Sequence, residues 1–297
     1  MKKKLISVLL AAVTAAAMVL AGCGTAAETQ SPTVESTVEQ TQEESQPAAA
    51  QESAEEAGED DLLSQIKAKG AITIATEGTW APWTYHDEND NLVGYDVEVA
   101  AAIAQKLGVE AEFIEGEWDG LFAGLDAARY DIVANGVEIT DERAEKYDFS
   151  DPYAYIRTAI IVKGDDDTIQ TFEDLDGKTT ANTLASTYAL LAESYGATAT
   201  GVDDLNQTIE LLLAGRVDAT LNAEVTFYDY MKAHPEANLK IAALTEEASQ
   251  VAIPVRKGEA SASLVEAINQ AIRELAEEGK LTELSEKYFG SDISGAE

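Results

Sequence analysis

The chain has one cysteine in 297 residues, two histidines, and only 20 lysines and arginines against 55 aspartates and glutamates. Each scarcity excludes something. With a single cysteine no intramolecular disulfide can form, so the fold must be held by an apolar core. A formal charge of −35, with no basic stripe to neutralise phosphates, argues against nucleic acid as a partner. His86 and His234 are too isolated for a metal or triad, and no Walker loop, dinucleotide glycine fingerprint or nucleophile elbow occurs. No cofactor and no metal are therefore expected, and enzymatic work would rest on carboxylates alone. The stretch DENDNLVGYDVE puts Asp87, Asn89, Asn91 and Glu98 on liganding positions of a calcium loop, but Leu92 stands where the sharp turn needs glycine. A hairpin turn leading into a helix capped by Asp96 is expected instead.

Only one long apolar run is present, and it lies at the start. MKKKLISVLLAAVTAAAMVLAGC joins three lysines to an apolar stretch from Leu5 to Leu20 and then small residues. This is the pattern of an export signal over residues 1 to 22, too short and wrongly flanked for a settled transmembrane helix. The segment LAGC resembles a bacterial lipobox, which implies lipid attachment at Cys23. Residues 24 to 61 hold eleven acids and no lysine or arginine. So little apolar surface cannot offset ordering entropy, so residues 23 to 61 are expected to form a disordered, lipid-anchored tether. As a flexible coil it would reach roughly 30 to 40 Å root-mean-square.

From Leu62 onward short β-rich runs alternate with helical patterns. AITIAT (Ala71 to Thr76), EAEFIE (Glu110 to Glu115), DIVANG (Asp131 to Gly136), TAIIVK (Thr158 to Lys163), DATLN (Asp218 to Asn222), LKIAAL (Leu239 to Leu244) and QVAIPV (Gln250 to Val255) read as strands. DVEVAAAIAQKLG and DDLNQTIELLLAG read as helices closed at Gly108 and Gly215, and two more fall at Ser261 to Glu277 and Leu281 to Tyr288. Alternation of this kind predicts a mixed α/β fold with largely parallel sheets flanked by helices. LFAGLDAARYDIVANG and IELLLAGRVDATLNA echo one another, as one building unit would in each of two lobes. YAYIRTAIIVK and SQVAIPVRKG bracket the second half as a pair of crossing strands would. Lobe 1 is expected over 62–157 and 254–297, and lobe 2 over 158–253.

TEGTWAPWTYHDENDNLVGYDVEVA, WDGLFAGLDAARYDIVANGVEITDERAEKYDFSDPYAY and GRVDATLNAEVTFYDYM together resemble the polar amino-acid branch of the solute-binding proteins of ABC importers. The likeness runs from about Ile66 to Phe289 and most resembles the cystine-binding group. It implies a two-lobed periplasmic-binding fold (type II), joined by two crossing strands. Such a protein is expected to act as a monomer at the outer face of the cytoplasmic membrane, closing on one amino acid and passing it to a permease.

The resemblance also implies site residues. Arg143 falls at the arginine that forks onto the ligand α-carboxylate, a geometry a planar guanidinium matches and lysine does not. Trp80 and Trp118 fall where aromatics wall the ligand, although composition alone would as readily bury both in a core. Glu77 matches an acidic position that can meet a distal polar group, and Gly136 a place where backbone approaches the ligand. Ser186 and Thr187, at a helix start, match a carboxylate cradle, while also reading as a plain N-cap.

Two positions depart from the family pattern. Where an aspartate usually pairs with the α-ammonium the chain has Ala223, and where a small residue usually precedes the arginine by five it has Glu138. Glu138 is the expected replacement partner for the ammonium, with Glu224 as second choice. A dehydratase-type activity on the same fold is the competing function, with Glu77, Glu138 or Glu224 as the carboxylates it would need.

Overall fold

The computed structural model describes residues 61–295; the expected leader, Cys23 and the acidic stretch up to residue 60 lie outside the described residues. Asp61, expected at the end of the tether, instead caps the first helix by accepting from the Ser64 N–H at 2.8 Å.

The first lobe comprises α1 (Leu62–Lys69), β1 (Ala71–Thr76), β2 (Thr79–Trp80), β3 (Thr84–His86), β4 (Leu92–Val93), α2 (Tyr95–Leu107), β5 (Glu110–Glu115), α3 (Trp118–Asp126), β6 (Ile132–Val133), α4 (Asp141–Lys146) and β7 (Tyr147–Phe149). The chain then leaves through β8 (Ala154–Ile156). The second lobe follows as β9 (Thr158–Lys163), β10 (Thr179–Asn182), α5 (Thr187–Ser194), β11 (Thr198–Gly201), α6 (Leu205–Leu213), β12 (Thr220–Ala223), α7 (Glu224–Ala233) and β13 (Leu239–Leu244). The return runs through β14 (Ser249–Val251) into β15 (Pro254–Arg256), α8 (Ala262–Glu277) and α9 (Lys280–Phe289), and α8 and α9 pack on α2 of the first lobe.

The first-lobe sheet has the order β5-β1-β6-β15-β7. β1 pairs parallel with β5 and β6, whereas β15 is antiparallel to both β6 and β7. In the second lobe β10 and β11 are parallel, and β9 is antiparallel to β12 and β13. The first-lobe sheet is therefore mixed, whereas the second lobe holds a parallel pair and a separate antiparallel sheet of order β12-β9-β13. The antiparallel members β9 and β15 are the strands that arrive directly from the crossing segments, so they enter their sheets from the hinge side rather than after a helical crossover. β8 and β14 form a separate antiparallel pair, Ser249 opposite Ile156. That pair is the crossing expected from the sequence.

Amphipathic α8 buries Leu264, Ile268, Ala271, Ile272 and Leu275, a helical-period stripe, against the first-lobe core around Ile72, Ile74, Val99 and Ile103. A second cluster around Ile161, Ile209, Leu212 and Phe227 holds the second lobe.

Two local expectations are corrected. α2 begins at Tyr95 after Gly94, which adopts φ +134° and lies so close to Trp83 that a Cβ would meet its carbonyl oxygen at 2.1 Å. Asp96 does not cap this helix; it is fully buried and points inward. The segment QVAIPV is not one strand, because Ala252 and Ile253 carry the chain from its pairing with β8 to its pairing with β7. Between β3 and β4 the Asp87 carboxylate accepts from Asn89 N–H, Asn91 N–H and Asn91 Nδ2, closing a turn on itself. Among the described residues no group of three or more potential ligands could hold a metal, and no helix is long and apolar enough to cross a membrane.

Candidate functional site

A cleft with about 570 Å3 of empty space opens between the lobes, lined by strand ends and helix starts from both. This is where ligands bind in open α/β sheets. On the first-lobe side stand Glu77, Thr79, Trp80, Trp118, Asn135, Gly136 and Glu138.

Asn135, just past β6, organises this wall. Its Oδ1 accepts from Glu77 N–H at 2.8 Å and from the Thr76 and Thr84 hydroxyls at 3.1 Å each, and its Nδ2 donates to Glu77 Oε2 at 2.5 Å. The Glu77 carboxyl is thereby held in place. Burial pushes its pKa up to about 7, against the opposing Asn135 hydrogen bond, and the charges of Asp204 and Asp119 push the same way.

Gly136 adopts φ +57°, and a Cβ there would lie 2.5 Å from Trp80 Cζ3. The indole of Trp80 packs on this glycine and stacks on Trp83 at 5.3 Å, with its Nε1 buried and without a hydrogen-bond partner. Behind the glycine lies Asp96, which accepts from Gly136 N–H and, at 2.8 Å, from the Tyr153 hydroxyl. Burial raises the Asp96 carboxyl to about 7, the two hydrogen bonds opposing.

Glu138 is 5 % exposed, and its backbone bridges to Val251 of β14. Its Oε1 accepts from the Thr187 hydroxyl at 2.7 Å, joining the lobes across the cleft. Arg143 is not among the lining residues. It sits beside the wall, one Nη1 donating to Glu138 O at 2.9 Å, its guanidinium 5.2 Å from the Trp118 ring and 5.4 Å from that of Phe122. Burial lowers its pKa and the Glu138 charge opposes this.

The second-lobe wall comprises Asn182, Thr183, Ser186, Thr187, Tyr188, Asp204, Leu205, Thr208 and Asn222. Ser186 caps α5, accepting from Ala189 N–H at 3.1 Å while donating to Thr183 O at 2.6 Å, so its hydroxyl is already committed. The hydroxyl of Tyr188 is buried beside the Ala223 backbone and the Glu138 side chain; its pKa is raised well above the ordinary value by burial, then by the Glu138 charge. Asn222 Oδ1 accepts from Ala223 N–H at 2.9 Å. Ala223 is fully buried and offers no polar group at the departed position. Glu224 does not line the cleft: it forks onto Arg157, Oε1 to Nε and Oε2 to Nη2, both at 2.9 Å.

The structure thus brings Glu77, Trp80, Trp118, Gly136, Glu138, Ser186 and Thr187 to one cavity and places Arg143 at its flank. Sequence reasoning missed Asn135, Asn182, Asn222, Tyr188 and Asp204. A signal existed for three of them: DIVAN, TTAN and ATLN each run a β-rich segment into an asparagine, and each asparagine ends up on the cleft wall.

The fold, with a cleft lined from both halves, defines a two-lobed protein of the solute-binding class. Residues 72–291 match the model of the bacterial extracellular solute-binding proteins, family 3, and the chain belongs to that family. It is 43 % identical over 237 residues to the L-cystine-binding protein TcyA of Bacillus subtilis, covering 80 % of this chain and 87 % of that one. Among solved structures, an ancestral arginine-binding protein bound to arginine superposes with a TM-score of 0.70 at 37 % identity, covering 74 % of this chain and 99 % of that one. The L-cystine solute receptor of Neisseria gonorrhoeae in its unliganded open conformation gives 0.55 at 42 % identity, covering 79 % and 99 %.

Proposed function

We propose that this protein captures a polar amino acid, cystine foremost, between its lobes and delivers it to an ABC transporter permease. The observation that carries the reading is a buried carboxylate on the cleft wall, Glu138, with a guanidinium on its flank, Arg143, whose Nη1 donates to the Glu138 backbone carbonyl. One anion and one cation side by side are the complement of a zwitterion: Arg143 takes the α-carboxylate, and Glu138 takes the α-ammonium that an aspartate at position 223 would otherwise meet. Trp80 and Trp118 wall the side chain, Gly136 offers backbone, and the start of α5 at Thr187, beyond the Ser186 cap, adds amide donors for the carboxylate. The names of the relatives, cystine- and arginine-binding proteins, support the class.

The lobes divide at 62–157 with 254–297, and at 158–253. Cys23 anchors the monomeric protein by lipid at the outer face of the membrane, after removal of residues 1 to 22, and the residues from 23 up to the Asp61 cap are the tether. A catalytic role, a dehydratase-type activity, finds its nearest support in a solved ancestral amino-acid-binding protein described as a precursor of cyclohexadienyl dehydratase, 29 % identical with a TM-score of 0.70. Recovery of bound ligand unchanged separates binding from catalysis.

A thermal-shift panel of the twenty amino acids and cystine tests the main reading, since a ligand at 100 times its Kd adds about 2.7 kcal/mol of stability. A clear upward shift with cystine or another polar amino acid is expected. No shift with any of them would sink it.

A further inference from the structure

Two indoles stack at the first-lobe wall, and they use their N–H groups differently. Trp80 keeps its Nε1 buried without a partner, whereas Trp83, stacked on it, donates Nε1–H to the Thr226 hydroxyl of the second lobe at 2.8 Å. Both Trp83 and Thr226 are fully buried, 143 residues apart in the chain, and neither lines the cleft. The donor is fixed to the first lobe. Besides Trp80 at 5.3 Å, its ring meets Tyr95 edge-on at 5.7 Å and Phe289 of α9 at 4.9 Å, while its carbonyl oxygen accepts from Asp96 N–H at 3.1 Å. The acceptor is fixed to the second. Thr226 lies in the first turn of α7, whose Glu224 N–H donates to Arg157 O at 3.0 Å, between β8 and β9. Farther along α7, Tyr230, Ala233 and His234 stand off Thr79 and Ala81 across about 440 Å3 of empty space. The side of α7 that faces the first lobe is thus tied near its start and gapped toward its end.

We propose that Trp83 and Thr226 are positioning residues for ligand capture: their hydrogen bond is a latch, made as the lobes come together, that prolongs the stay of whatever the cleft holds without touching it. The inference rests on the amino-acid reading of the cleft and is indifferent to which amino acid fills it. While the lobes are apart, the indole N–H and the hydroxyl can each bond water; once joined, both are out of its reach and have each other. An interaction made in the joined arrangement alone favours that arrangement, and it multiplies the affinity of every captured ligand by one common factor. Because it forms after entry, it acts on release rather than on encounter. A buried donor deprived of its acceptor costs more than the bond itself contributes, so removing the hydroxyl is a sensitive probe. Trp80 connects the latch to the site, since a ligand lying on that indole steadies the stack that carries the donor.

The test is calorimetry for affinity and stopped-flow tryptophan fluorescence for rates, on the full chain with L-cystine, L-arginine and L-glutamine. The variants are Thr226→Val, Thr226→Ser, Trp83→Phe and the Trp83→Phe/Thr226→Val pair, and unliganded thermal unfolding checks that each one folds. Thr226→Val removes the acceptor at nearly the same volume. It should speed release and weaken binding by about fivefold or more, by the same factor for each amino acid the wild type binds, with the association rate little changed. Thr226→Ser keeps the hydroxyl and should restore both. In the Trp83→Phe background Thr226→Val should cost little further affinity, because the donor is already gone. Unchanged affinity and release in a folded Thr226→Val variant would show a bond that persists whether or not ligand is held, and would overturn the latch while leaving amino-acid capture intact. Equal losses in Thr226→Ser and Thr226→Val, or an altered preference among the three ligands, would overturn it in the same way. Failure of every amino acid to bind the wild type would overturn the underlying reading, and the latch with it.

Discussion

The Thr187 hydroxyl of the second lobe donates to the Glu138 carboxylate of the first at 2.7 Å, and Glu138 is 5 % exposed. A buried carboxylate whose side-chain hydrogen bond comes from a neutral hydroxyl still has acceptor capacity for an incoming ammonium.

Glu138→Gln is therefore expected to weaken binding of the best amino-acid ligand by about 2 to 5 kcal/mol, as for truncating one partner of a buried charge pair. Glu224→Gln should change it little, because Glu224 is engaged with Arg157 away from the cleft. Calorimetry on the two variants decides; equal effects would return the ammonium to an unidentified partner.

Arg143→Ala should cost a similar amount, about 2 to 5 kcal/mol in binding. Arg143→Lys should fail to restore it, since an ammonium can neither fork onto a carboxylate nor lie as a plane near the Trp118 and Phe122 rings. Near-native affinity in a folded Arg143→Lys variant would show that only charge is required there.

Asp96→Asn should flatten the pH dependence of stability. The folded carboxyl sits at about 7 against an ordinary 3.8, so the folded state holds the extra proton between these values. Stability from this group is full below about pH 4 and falls as pH rises through 7, by at most about 4 kcal/mol. Asparagine can still accept from Gly136 N–H and can donate to the Tyr153 oxygen. Thermal unfolding from pH 4 to 8 should show the variant gaining on the wild type as pH rises; parallel curves would refute the burial argument.

Gly136→Ala forces a side chain into the left-handed region, at about 1 to 2 kcal/mol, and pushes Trp80 off its place. Both unfolding temperature and ligand affinity should drop, with the shift in Trp80 fluorescence reporting the displacement. A variant with native stability would mean that the loop relaxes freely.

Much of the fold was legible because burial writes itself into local pattern. β1, β5, β9 and β13 coincide with the six-residue runs read as strands, and Gly108 closes α2 as expected. The start of α2 was misread because an aspartate followed by an apolar stripe has the local look of a cap, whereas Asp96 is committed to Gly136, forty residues away. The split of QVAIPV is set by which strand lies alongside each half, which no run of hydrophobic residues encodes. The cleft residues divide the same way. Trp80, Gly136 and Glu138 stood in recognisable motifs, while Asp204 looked like any helix cap, and its place on the cleft wall arises only from the packing of the second lobe.

The chain enters and leaves the second lobe through β8 and β14, strands that lie side by side, and both α1 and α9 belong to the first lobe. Tension applied between Asp61 and Gly295 is consequently borne by the first lobe alone, and the second is shielded from the load until its host gives way. Pulled from its ends, the molecule should lengthen in two steps, the inserted half last, and a ligand that bridges the halves should raise the force of the first.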